Sequence, residues 1–284
     1  MTTAIKTAPT PEQLAHAFLT PSRQSRQAEP EFMPGAEHFS IDTPEGKVAA
    51  RRAGAGPTVV LVHGWEGRAS DLAAFAPPLL DAGYRVVAID LPAHGLSEAK
   101  RTSIPQSADA LFWVQQFLGP LHAAIAHSVG TAVVVEAMAA GMQIGRVALI
   151  SAPARYVDYV FAFAAQAGLD HAQTEQMIVA LKDMRVDVRA VATPLHARQM
   201  RQPALFVHSA DDRVVAVKDG RENASAWPGA LFMQVENLGH RRILQSPEVV
   251  IAVTAFVRTN ESQPLSSHVR KQASDHPFKQ GVSQ

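Results

Sequence analysis

The chain holds a serine, two adjacent aspartates and a histidine in settings suited to nucleophilic catalysis. Ser128 sits inside the stretch "LHAAIAHSVGTAVVVEAMAA" of residues 121–140, where an apolar run ends and an alanine-rich amphipathic segment begins. A neutral hydroxyl is a poor nucleophile; it needs a base, and the base needs an acid to orient it. Candidates follow downstream: Asp211 and Asp212 in "FVHSADDRVV", and His240 in "VENLGHRRIL". At a turn from strand into helix, the helix N-terminus presents free backbone N–H groups that can steady an oxyanion. A serine that merely caps a helix is the competing reading of Ser128.

These residues can meet only if the intervening chain delivers them to one place. The runs "TVVLVHG" (58–64), "YRVVAID" (84–90), 121–126, "RVALISA" (146–152), "ALFVHSA" (204–210) and "LFMQVEN" (231–237) read as strands buried on both faces. Between them, 70–82, 104–118, 129–140, 216–226 and 246–258 read as helices, with a hairpin at the start turning on Pro44-Glu45-Gly46. Strands alternating with helices predict an α/β fold around a mostly parallel sheet with right-handed crossovers. Ligands in such sheets sit outside the carboxyl ends of the strands, which is where Ser128, the Asp pair and His240 fall. Residues 153–202 break the alternation with helical patterns alone, 156–167 and 170–184, and read as a small helical cap inserted in a core of 36–152 and 203–260. Residues 1–35 read as a leader with one short helix near 12–19, packed loosely or wrapping the body, and 261–284 as a disordered polar tail.

Composition narrows the classes. With 26 basic and 26 acidic residues the net charge is zero, so no general attraction to nucleic acid or anionic membrane is implied. The chain has no cysteine, which removes disulfides, thiolate chemistry and Cys-ligated metals. Twelve histidines are present, but none has the spacing of a zinc site, and no metal is expected. No secretory signal and no bilayer-spanning run of about 20 apolar residues is apparent, so a cytoplasmic location is expected by default.

The motif Ala126-His127-Ser128-Val129-Gly130 resembles the nucleophile elbow of the α/β-hydrolase fold, with Ala126 at the first position in place of glycine. Gly130 fits a sharp turn that tolerates no bulky side chain two residues past its apex. "LVHGWEGR" resembles the family's His-Gly oxyanion loop, "DLPAHGLS" its structural Asp turn, and Gly239-His240 its terminal Gly-His. Together these span about 37–258. The family's chain order of serine, acid, histidine implies a triad of Ser128, Asp212 and His240, with Asp211 the neighbouring rival for the acid. It also implies oxyanion donors at the backbone N–H groups of Trp65 and Val129. Asp90 and Ser97 are read as bonding local backbone, and His63 as bonding backbone near the oxyanion loop.

A serine at position 128, rather than an aspartate, argues against dehalogenase or epoxide hydrolase chemistry. The resemblance implies a serine hydrolase that cleaves a carboxylic ester through an acyl-enzyme and needs no cofactor. A thioesterase, lactonase, amidase, C–C hydrolase or acyltransferase would use the same triad, and a noncatalytic binding protein would use only the capped pocket. Trp65, Tyr156 and Tyr159 are candidate pocket residues for a small ester or related acyl substrate. Arg155 and Arg189 are candidates to meet a substrate carboxylate.

Overall fold

A strand with a branched apolar residue at nearly every position must be covered on both faces. In the computed structural model, which describes residues 9–22 and 31–259, the run Thr-Val-Val-Leu-Val lies in the middle of the sheet and is entirely buried. The chain opens with helix α1 (Pro11–Phe18), capped by Thr10 and Gln13 acting reciprocally. Next come the hairpin β1 (Glu37–Thr43) and β2 (Gly46–Ala53), then β3 (Thr58–Val62).

The helix expected at 70–82 is two pieces. A 3₁₀ segment, Ala69–Phe75, breaks from helical geometry at Leu72, and α2 (Ala76–Asp81) starts afresh beyond it. Pro77 and Pro78 explain the restart: without N–H groups they suit only the first turn of a helix. The rest runs β4 (Arg85–Ile89), α3 (Ile104–Leu118), β5 (Leu121–His127), α4 (Val129–Ala139) and β6 (Ile144–Ile150). Three helices, α5 (Tyr156–Gln166), α6 (His171–Asp183) and α7 (Thr193–Ala197), fill the stretch before β7 (Ala204–Ser209). The chain then forms α8 (Val217–Ala226), β8 (Leu231–Val235), the four-residue α9 (Gly239–Arg242) and α10 (Pro247–Arg258).

The eight strands form one sheet in the order β1-β2-β4-β3-β5-β6-β7-β8. β1, β2 and β4 pair antiparallel, and every pairing from β4 to β8 is parallel. Both faces are covered. One apolar cluster joins Val60, Val62, Ala124 and Ala126 to α3 and α4, and the other joins Val59, Leu61 and Ile125 to Phe75, Leu79, Val253 and Phe256. Because the parallel strands share one direction, their carboxyl ends and the loops that follow lie along one rim.

Helix α1 packs on α6 and α5, with Leu14, Ala15 and Leu19 buried, and Met33 is buried in the second cluster. The described parts of the leader therefore lie against the body. The tail read as disordered falls outside the described residues. Among the described residues, no helix is long and apolar enough to cross a membrane.

Candidate active site

Ser128 takes φ 52° and ψ −128°, a backbone region that costs a non-glycine residue on the order of 1–3 kcal/mol. The sharp turn ends β5 and starts α4, and it lifts the Ser128 side chain out of the line of the strand. Its hydroxyl makes no capping bond to α4, so the capping reading fails. The turn is held from within: the Thr131 N–H and hydroxyl both donate to the Ser128 carbonyl, at 2.9 and 2.7 Å. Gly130 is required because a Cβ there would meet the His63 carbonyl oxygen at 2.3 Å and that of Val62 at 2.7 Å. Close approach to the end of β3, rather than torsional freedom, is the reason for that glycine.

His240 enters from the loop after β8, on α9. Its Nε2 lies 3.1 Å from Ser128 Oγ and its Nδ1 lies 2.8 Å from Asp212 Oδ2. An ionised carboxylate accepts only, so Nδ1 carries the proton and Nε2 is left to accept from the serine hydroxyl. Asp212 Oδ1 accepts the N–H groups of Val214 and Val215 at 2.9 and 3.0 Å. Burial alone would push the Asp212 carboxyl up. The bond from His240, the Val215 N–H, the charge of His240 and the Val214 N–H outweigh burial and bring it down to about 2.

Asp211 has a different place. It is exposed, and its Oδ1 accepts the Gly239 N–H at 3.0 Å and the Ser209 hydroxyl. Ser209 Oγ in turn accepts from the N–H groups of Leu238 and Gly239 at 3.2 and 3.1 Å. The Ser209 hydroxyl and the Gly239 N–H hold the Asp211 carboxyl below its ordinary range. One aspartate grips the imidazole of His240, and its neighbour grips the backbone on which that imidazole is mounted.

A third grip on this loop comes from the elbow motif itself. His127, buried beside the serine, donates from Nε2 to the His240 carbonyl oxygen at 2.8 Å, with the two rings 4.6 Å apart. Burial, followed by the charge of His240, pushes His127 down to about 3. Behind it, a Cβ on Gly64 would come within 2.9 Å of Ser128 Cβ, so the His-Gly loop runs directly against Ser128.

The loop carrying Trp65 is fixed by two buried imidazoles. His63 Nδ1 donates to the Gly64 carbonyl at 2.6 Å, and its Nε2 accepts the Leu91 N–H at 2.9 Å. His94 Nδ1 donates to the Pro92 carbonyl at 2.9 Å, and its Nε2 accepts the Glu66 N–H at 3.0 Å, with Glu66 at φ 55°. Burial lowers both, His94 to about 4. Trp65 is half-buried and stands edge-on to His94 at 5.3 Å. Val129, also half-buried, is the first residue of α4, so its N–H is among those without a partner inside the helix. Asp90 bonds local backbone as expected, accepting from Ala69 and Leu96 at 2.8 and 2.9 Å, while Ser97 donates to the Asp90 carbonyl at 2.6 Å.

A small cavity of about 10 Å³ adjoins Val129 and is lined by Ile104, Ala132, Tyr156, Tyr159 and Val191 among others. Trp65 is not part of its wall. The two arginines considered for a substrate carboxylate are already engaged: Arg155 makes a two-pronged pair with Glu222, and Arg189 meets both Glu175 oxygens at 2.7 Å. Among the described residues, no group of three His, Asp or Glu side chains could hold a metal ion.

A model described as the alpha/beta hydrolase family matches residues 59–253, well over half of the chain. Among solved structures, an esterase from Exiguobacterium antarcticum is 17% identical, covering 78% of this chain and all of its own, with a TM-score of 0.64. A thermophilic esterase from Thermogutta terrifontis is 20% identical, covering 78% and 98%, with a TM-score of 0.63. A third, described as an N-acyl homoserine lactone degrading enzyme, is 18% identical, covering 77% and 100%, with a TM-score of 0.61. At such identities the likeness is one of fold. No functionally curated protein matches the sequence.

Proposed function

The chain belongs to the alpha/beta hydrolase family, and from that premise we propose that it cleaves a carboxylic ester by serine catalysis through an acyl-enzyme. The observation that carries this reading is the single imidazole of His240 spanning Ser128 Oγ at 3.1 Å and Asp212 Oδ2 at 2.8 Å. His240 Nε2 takes the hydroxyl proton as Ser128 Oγ bonds to the ester carbonyl carbon. Asp212 keeps the ring in the productive tautomer and offsets its positive charge. The developing oxyanion accepts from the N–H groups of Val129 and Trp65, and losing one such donor costs roughly 3 kcal/mol in comparable sites. Collapse of the tetrahedral intermediate expels the alcohol, which receives the proton from His240. Water, activated by the same imidazole, then releases the acid.

Every group these steps need belongs to the chain, so no cofactor is invoked. The substrate class is a small ester or related acyl compound. One structural neighbour is described as degrading a lactone, which makes cyclic esters the first variation to try. The test is covalent labelling with a fluorophosphonate probe, alongside turnover of nitrophenyl esters, lactones, acyl-CoA and amides. Wild type should label and turn over esters, and Ser128→Ala should do neither while unfolding at an unchanged temperature. Equal labelling of the two proteins would remove Ser128 from the nucleophile's role.

A further inference from the structure

The cavity beside Val129 is small, and one of its lining residues packs against a part of the chain outside the family core. At about 10 Å³ it has room for roughly one water-sized group. One of its lining residues is Tyr156, buried at the start of α5. A tyrosine wall can often rotate to admit a longer ligand; here its ring packs against another aromatic ring. Phe18, the last residue of α1, lies against the Tyr156 ring with centroids 5.4 Å apart, and meets the Phe163 ring edge-on at the same distance.

Helix α1 is not a loose attachment. Leu14, Ala15 and Leu19 are buried in the main core cluster. The Leu19 carbonyl accepts the Thr102 N–H at 2.9 Å, next to Ser103, which caps α3 and so sets the position of Ile104. Ile104 is another lining residue of the same cavity. One short segment thus braces two walls of the space next to the nucleophile. That segment lies before residue 59, where the match to the family model begins.

We propose that Phe18 is a specificity-determining residue, which limits the acyl group of the substrate to short chains by locking Tyr156 in place. The inference rests on the reading of Ser128 as the nucleophile of an ester hydrolase. Removing the Phe18 ring leaves an apolar void into which Tyr156 can turn, and the cavity deepens away from Val129. In a hydrophobic pocket, a methylene that is housed rather than excluded changes kcat/KM by roughly 10- to 200-fold.

The experiment uses the full chain and compares kcat/KM for nitrophenyl acetate, butyrate and octanoate in wild type, Phe18→Ala and Phe18→Leu. Fluorophosphonate labelling and thermal unfolding are followed on each protein. Wild type should favour acetate, and the octanoate-to-acetate ratio should rise at least about tenfold in Phe18→Ala. Phe18→Leu keeps an apolar side chain at the position and guards against loss of folding; its ratio should move in the same direction by a smaller factor. A labelled, folded Phe18→Leu or Phe18→Ala protein with the wild-type ratio overturns this inference alone, as does a wild type that takes octanoate as readily as acetate. A wild-type protein whose serine does not label overturns the hydrolase reading, and this inference with it.

Discussion

Asp211 and Asp212 are neighbours in sequence, carry the same charge and both bond to the His240 loop, yet replacing each with asparagine should have sharply different effects. Asp212 is fully enclosed, and its carboxyl is held at about 2 against an ordinary 3.8. That difference favours the charged form by about 2 kcal/mol in the folded state. The Asp212→Asn change forfeits this, and it also lets the amide N–H₂ turn toward His240 Nδ1. The imidazole then adopts the opposite tautomer and presents an N–H, not a lone pair, to Ser128. In a comparable Ser-His-Asp triad that substitution lowers turnover roughly 10⁴-fold with the geometry intact.

Asparagine at 211 keeps an oxygen for the Gly239 N–H, so Asp211→Asn should lower kcat/KM by less than roughly tenfold. The stability loss in Asp212→Asn has a defined pH signature. A depressed carboxylate stabilises the fold above its unfolded value, and that contribution disappears as pH falls through the folded value. The two urea-unfolding curves should therefore differ by about 2 kcal/mol at pH 7 and draw together between 3.8 and about 2. Steady-state kinetics with a nitrophenyl ester supplies the other half of the assay. Equal kinetic losses at 211 and 212, or an Asp212→Asn protein that keeps a tenth of wild-type activity, would refute this division of labour.

Two further outcomes follow from the same contacts. Gly130→Ala should lower the unfolding free energy measured in urea by an amount on the order of 1–3 kcal/mol and abolish fluorophosphonate labelling, because the new methyl would sit 2.3 Å from the His63 carbonyl oxygen; normal labelling would show that the end of β3 gives way. Acid should destabilise the protein well above the carboxylate range: His94 and His127 stay neutral when folded, down to about 4 and 3, but charge near 6.5 when unfolded. Each therefore contributes stability above 6.5 that is lost as pH falls, about 2 kcal/mol by pH 5, and the loss measured between pH 8 and 5 should be smaller by that amount in His127→Phe.

What the sequence made legible was chemistry that occupies adjacent positions. Ser-x-Gly at the end of an apolar run, Gly-His after the last strand and an Asp pair after the one before are each local, and parallel strands carry local motifs to one rim. The grips on the base were not legible. His127 reaches a backbone carbonyl 113 residues away, and a carbonyl has no sequence signature. Asp211 looked like a rival to Asp212 because adjacency says nothing of which side chain faces inward; the Val214 and Val215 N–H groups turn Asp212 toward His240. α7 and α9, at five and four residues, are too short to show periodicity. The break in the 70–82 helix, by contrast, was written in Pro77-Pro78. Phe18 lay in a stretch whose polar composition masked one packed face.

The buried histidines around the site share a design that bears on how the base works. His63, His94, His127 and His208 each donate one ring N–H to a backbone carbonyl, and burial lowers all four below 6.5. All four are therefore neutral at pH 7, in a site where the proposed mechanism has His240 acquire a proton. The alternative would be costly. A charged His127 at 4.6 Å from His240 would oppose its imidazolium by roughly 4 kcal/mol at an effective dielectric constant of about 20. His208 Nε2, 3.6 Å from Asp212 Oδ2, would if charged compete with His240 for the same carboxylate. By tying each neighbour's N–H to a carbonyl and burying the ring, the fold leaves the pair formed by His240 and Asp212 as the place where, in the proposed mechanism, the proton from Ser128 would settle.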